Sequence, residues 1–180
     1  MSVFDNNFKE ILLSQFVSVI GGLIAGSILA AYTDKILLIP GMFILLPGFL
    51  EMRGNISASL SSRLSSGMFL KVIDPKRTTT KIVQGNLVAS FILVVVVSLV
   101  LGLIAFFFNY FLFNLIYPKI IFLALIAGII ANAIEIPLTV FVTFYLFKKG
   151  HDPNNIMGPF VTSTGDIIGV LSFLITLVIL

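Results

Sequence analysis

The chain has 180 residues, of which 58% are hydrophobic and only 11% charged, with a formal net charge of +3 and no cysteine. Soluble domains carry roughly 25% charged residues, so this composition, with a mean hydropathy of +1.15, reads as an integral membrane protein without a sizeable soluble domain. The missing cysteines exclude disulfides, thiolate metal sites and cysteine nucleophiles. The basic residues sit mainly in loops, where they set topology rather than bind nucleic acid.

At about twenty apolar residues per spanning helix, the sequence predicts an all-α protein of five transmembrane helices, at roughly 11–33, 36–67, 82–109, 115–147 and 157–180. A short segment of mixed charge (Asp5, Lys9, Glu10) precedes the first. That span carries Gly22, Gly26 and Ala30 in a four-residue row suited to close helix packing. A signal peptide cleaved near Ala30-Ala31 is the competing reading, but the run is long and its flank is not basic.

The second span is interrupted by Pro40-Gly41 and Pro47-Gly48, so a kink or break is expected. It continues into Glu51–Gly67, which holds Arg53, Arg63, Asn55 and six serines. Two readings stay open. Either the span ends near Leu50 and a polar loop follows, or the helix continues inside the protein and lines a wet cavity with Asn55, Ser59 and neighbouring hydroxyls. Leu60 and Leu64, four apart, suit a helix with one apolar stripe.

A basic loop from Lys71 to Lys81 follows, with Thr80 a candidate helix cap. The third span is apolar apart from Asn86 near its start, whose expected role is a helix–helix hydrogen bond. Tyr110, Phe111 and Tyr117 suit an interfacial loop. The fourth span contains Asn132 and Glu135, three apart on one face, followed by Pro137. Glu135 could ligate a cation or couple protons, or pair with Arg53 or Arg63.

The last span carries a second membrane carboxylate, Asp166. A lone Asp at such depth costs roughly 2.5–3.5 kcal/mol on insertion scales, and so requires a partner, water or an ion. Thr162 and Ser163, four and three residues earlier, lie near its helix face, and Gly165 and Gly169 allow close approach. The expected lining is hard and oxygen-only. With the N-terminus inside, seven basic residues (Lys9, Lys71, Lys76, Arg77, Lys81, Lys148, Lys149) lie inside and two (Lys35, Lys119) outside, which orients the chain with its C-terminus outside.

Two stretches resemble MgtE-type divalent-cation channels and transporters. Pro47-Gly-Phe-Leu-Glu-Met-Arg-Gly-Asn-Ile-Ser-Ala-Ser-Leu-Ser-Ser-Arg-Leu64, centred on Gly54-Asn55, resembles the family's second-helix motif, most closely that of the eukaryotic solute-carrier branch. Asp152-Pro153, Pro159 and Thr162-Ser-Thr-Gly165-Asp166 resemble its last-helix motif of Asp-Pro, a proline-led helix start and Thr-x-x-Gly-Asp. The resemblance implies the five-helix membrane domain of a Mg2+ channel or transporter in the plasma membrane, with Mn2+, Co2+ or Ca2+ as alternative cargo. It also implies that two such domains surround one pore and that Asp166 binds the ion.

The family's bacterial members add cytosolic regulatory domains and its eukaryotic ones fuse two copies; the chain shows neither, so a homodimer is the simplest assembly. A heterodimer with a paralogous chain comes second. Glu51 and Glu135 are additional charges, compatible with exchange against Na+ or H+; the remaining alternative is a non-conducting subunit. No enzyme is expected: His-Glu-x-x-His and Gly-x-Ser-x-Gly are absent, and the single histidine, His151, lies in a loop.

Overall fold

A computed structural model describes residues 6–180, and these are helical throughout apart from short connections. Asp5 lies outside the described residues. The elements are α1 (Asn6–Ala31), α2 (Thr33–Leu37), α3 (Met42–Phe69), α4 (Lys81–Phe113), α5 (Lys119–Lys148) and α6 (Pro153–Ile179). Four of them, α1, α4, α5 and α6, are long and apolar enough to cross a membrane. At 28 residues α3 is as long as these, about 42 Å as ideal helix, but its second half is polar.

Helix ends follow local chemistry. Thr80 caps α4 by accepting a hydrogen bond from the Val83 amide (3.4 Å), and Asp152 caps α6 through the Asn154 amide (2.9 Å), with Pro153 buried at the first helical position. The break anticipated in the second span falls between α2 and α3. Gly41 there has φ +78°, a left-handed conformation that favours glycine. Its neighbour Pro40 offers a carbonyl to Asn109 Nδ2 (2.9 Å), which ties the turn to the end of α4. Pro47 lies inside α3 without ending the helix.

The centre of the bundle is α3, which packs against α4, α5 and α6. The buried side of α4 is a row of mostly small residues at three- or four-residue steps, Ser90, Val94, Ser98, Gly102, Ala105 and Asn109. Many of its large residues face outward, including Val96, Phe107 and Phe111, while Val83 and Val94 are buried and Phe91 and Leu101 pack against the core. Where there is no water to drive association, small residues that let backbones approach are what hold helices together. A Cβ on Gly102 would meet the Ile121 backbone at 2.8 Å, and Gly128 of α5 packs directly on Ser98.

Two expectations are corrected. Gly22, Gly26 and Ala30 do not form the packing edge of α1 within the chain; a Cβ at Gly22 or Gly26 meets nothing within 4 Å. The buried edge is instead Ser14, Gly21 and Ala25, turned toward α6, where Gly21 packs directly on Ser163. Asn86 makes no bond between helices: its amide donates to Ile82 O of its own helix (2.9 Å).

Gly102→Leu is expected to pry α4 from α5 and cost about 1–3 kcal/mol, seen as a lower unfolding temperature in detergent. Gly85→Ala, with open space around it, should raise stability by about 0.4–1 kcal/mol.

Candidate functional site

The helix reading of Glu51–Gly67 holds and the polar-loop reading is overturned: the whole stretch belongs to α3. Its polar residues divide between two faces. Leu60 and Leu64 are buried as expected, and so are Arg53, Ser57, Ser61 and Ser65. Glu51, Asn55, Ser59 and Ser62 are exposed, with Asn55 Nδ2 donating to Glu51 Oε1 (3.1 Å). Only some of the serines therefore face outward. At about 100° per residue, positions 51, 55, 59 and 62 keep to one side of the helix.

Arg53 is the largest fully buried side chain among the described residues. Its Nη1 donates to Glu135 Oε2 at 2.7 Å, with Glu135 itself 1% exposed. Its Nη2 lies 3.9 Å from Asp166 Oδ1, an electrostatic contact too long for a hydrogen bond. The guanidinium also lies 5.4 Å from the Phe49 ring centroid. Room for it comes from α6: a Cβ on Gly169 would lie 2.6 Å from Arg53 Cζ, and one on Gly165 would lie 2.8 Å from Glu135 Oε1. The two glycines flanking Asp166 thus make the pocket that admits the ion pair.

Asp166 sits at the edge of this pocket, its side chain 25% exposed. Thr162, one turn earlier, is exposed and donates to Gly158 O (3.0 Å). Gly54 of α3 faces the Thr162 hydroxyl. Glu51, Asn55 and Ser59 on the exposed side of α3, and Thr162 and Asp166 on α6, thus make one polar strip where the two helices meet at Gly54, called the groove below. Ser163 is not part of it. It is 3% exposed, donates to Phe160 O (3.0 Å) and packs on Gly21 of α1. Thr162 and Ser163 fall on opposite sides of the Asp166 meridian, and α1 occupies the Ser163 side.

Asn132 and Glu135 do not line the groove either; both are buried in the interior. Asn132 Nδ2 donates to Gly128 O of its own helix (2.9 Å), and Glu135 is taken up by Arg53. Arg63, the other candidate partner for Glu135, is directed to α4, where Nη2 donates to Ser90 Oγ (3.3 Å). Pro159 does not lead the helix as expected: it sits inside α6, partly buried, six residues after the Pro153 start.

A feature not anticipated is the matched spacing of Ser57, Ser61 and Ser65 on α3 and Glu135, Thr139 and Thr143 on α5, all buried, with Ser61 and Thr143 hydroxyls 2.9 Å apart. The four-residue repeat in both segments is visible in the sequence. That the two repeats face each other is not.

Because the chain has no cysteine, single cysteines report accessibility without background. Ser59→Cys and Thr162→Cys, in the groove, are expected to react with a charged, membrane-impermeant thiol reagent. Val96→Cys, on the apolar outer face of α4, should resist it; equal labelling at all three positions would argue against a hydrated groove.

The model of the MgtE family, described as divalent cation transporter, matches residues 46–176. No curated protein matches the sequence. The matched region runs from the second turn of α3, ahead of its polar face, to the last turn of α6 and contains every residue of the groove. It identifies the family and not a branch of it. On this match, and with four helices fit to cross a membrane, the chain belongs to the MgtE divalent cation transporter family.

Proposed function

We propose that this protein carries Mg2+ across the plasma membrane as a homodimer, with the α3–α6 groove of each copy forming one wall of a shared pore and Asp166 holding the ion. In this reading α3 is the fifth span, its polar face shielded from lipid by the second copy, with the N-terminus inside and the C-terminus outside. The observation that carries the proposal is the groove: Glu51, Asn55, Ser59, Thr162 and half-buried Asp166 lie together on an outer surface of a bundle whose other outer faces are apolar. A polar face of this kind is costly against hydrocarbon and natural around water.

Magnesium suits this surface. It is a hard cation that releases its water reluctantly and is commonly held by one or two carboxylates through a retained hydration shell. Among the described residues no three His, Cys, Asp or Glu side chains converge on one point, which agrees with an ion held largely through water. A two-fold axis along the groove would bring two Asp166 carboxylates to one constriction and surround them with hydroxyls and amides. Mn2+, Co2+ and Ca2+ are the other hard or borderline ions that such oxygens accept.

Purified protein in liposomes should take up Mg2+, and Asp166→Asn, which keeps shape and removes charge, should reduce that uptake by about tenfold or more with the fold intact. Equal uptake in both would move the ion site away from Asp166. No uptake in either would favour a subunit that needs a paralogous chain to complete its pore. Uptake that follows an imposed Na+ or H+ gradient would make it an exchanger.

A further inference from the structure

Resting on the reading of Asp166 as the ion-binding carboxylate, we propose that Arg53 and Glu135 are positioning residues for it: Glu135 takes up the charge of Arg53 from the interior, so that Arg53 holds Asp166 at the groove wall without cancelling its charge.

The arrangement is asymmetric. Arg53 Nη1 is bonded to Glu135 at 2.7 Å, whereas Nη2 stands 3.9 Å from Asp166. Glu135 is enclosed (1% exposed), whereas the Asp166 side chain is 25% exposed. A cation in the groove can therefore reach Asp166 but not Glu135. A bare guanidinium at this place would repel the cation and close Asp166 into a neutral pair. With Glu135 present, the three ionised groups together carry one negative charge, rather than none.

The planar fork of arginine suits a residue that must present separate nitrogens to two carboxylates. Gly165 and Gly169 keep the guanidinium and Glu135 pressed against the α6 backbone on either side of Asp166, so that the height of Asp166 along the groove follows from where this pair sits.

The test is the concentration dependence of Mg2+ uptake into liposomes for wild type, Asp166→Asn, Glu135→Gln and the double variant Arg53→Met/Glu135→Gln, each checked for folding by size-exclusion profile and unfolding temperature. Glu135→Gln leaves Arg53 free to neutralise Asp166. Its half-saturating Mg2+ concentration should rise by about tenfold or more, the effect of one unit charge a few ångströms from the ion, while the maximal rate per folded protein changes less. The double variant removes both charges and should return half-saturation to within about threefold of wild type, as neutral replacement of a buried pair commonly preserves a fold.

A folded double variant as impaired as Glu135→Gln would overturn the inference and make Glu135 a direct participant in transport. Unchanged half-saturation in Glu135→Gln would overturn it too. If Glu135→Gln does not fold, the double variant decides by the same criterion. Wild type without uptake, or Asp166→Asn equal to wild type, removes the underlying reading and this inference with it. An unrescued Glu135→Gln beside a defective Asp166→Asn removes this inference alone.

Discussion

The structure depends on bringing a guanidinium into the middle of an apolar bundle. An isolated buried charge is prohibitively costly, and even a paired one gains only when its geometry is good. Arg53 meets it in part, through contributions from three helices: a hydrogen-bonded carboxylate from α5, a second carboxylate at 3.9 Å and two glycines from α6, and an aromatic ring from its own helix, with Nε and Nη2 left without a hydrogen bond. Leave any of these out and the rest lose their reason. Without Glu135 the charge is uncompensated, without Gly169 there is no room for it, and without Arg53 a carboxylate would be left alone in the interior. The crossing of α3, α5 and α6 is therefore held at one point by electrostatics and steric fit together.

Around that point the bundle is held by close packing of small side chains. The inner row of α4 and the alanines and glycine of α5 bring backbones near one another, while many further large aliphatic and aromatic residues lie on the outside. This departs from the usual distribution in water, where the exterior is polar. It follows from the solvent: hydrocarbon accepts Val, Leu and Phe as readily as a protein interior does, so burying them gains little, whereas dispersion contacts between close backbones remain favourable. Phe49 and Phe173, packed edge to face at 4.2 Å beside Arg53, are among the large side chains that do enter the core.

The same helix, α3, supplies both the buried charge and the outer polar face. Its period places Arg53, Ser57 and Ser61 inward and Glu51, Asn55 and Ser59 outward, so the ion pair and the groove are linked through one rigid backbone. A displacement of α3 would move both at once. Asp166, on α6, stands where the two surfaces meet, partly enclosed by the pair and partly open to the groove. Membrane carboxylates in such positions are expected to be functional, because nothing else offsets their cost.

Much of this was legible in the sequence. Composition and the length of the apolar runs determined the all-helical membrane class; Asp166 stood out by its cost, and Thr80 and the Pro40-Gly41 interruption marked helix ends by local chemistry that any single chain displays. The polar stretch after Leu50 announced a surface unsuited to lipid. What was misplaced or left open was always a question of rotation: Ser163 was expected beside Thr162 on the open side of α6 and Gly22 and Gly26 on the contact edge of α1, while which serines turned inward and whether Glu135 met Arg53 or Arg63 stayed undecided. Spacing along a helix fixes which residues share a face, since the 3.6-residue period is intrinsic to the backbone. It cannot fix what that face meets, because the neighbour is chosen by packing between segments far apart in the chain. Arg53 and Glu135 are separated by 82 residues, and only the tertiary structure, by laying α5 and α6 on one side of α3, decided that they are partners.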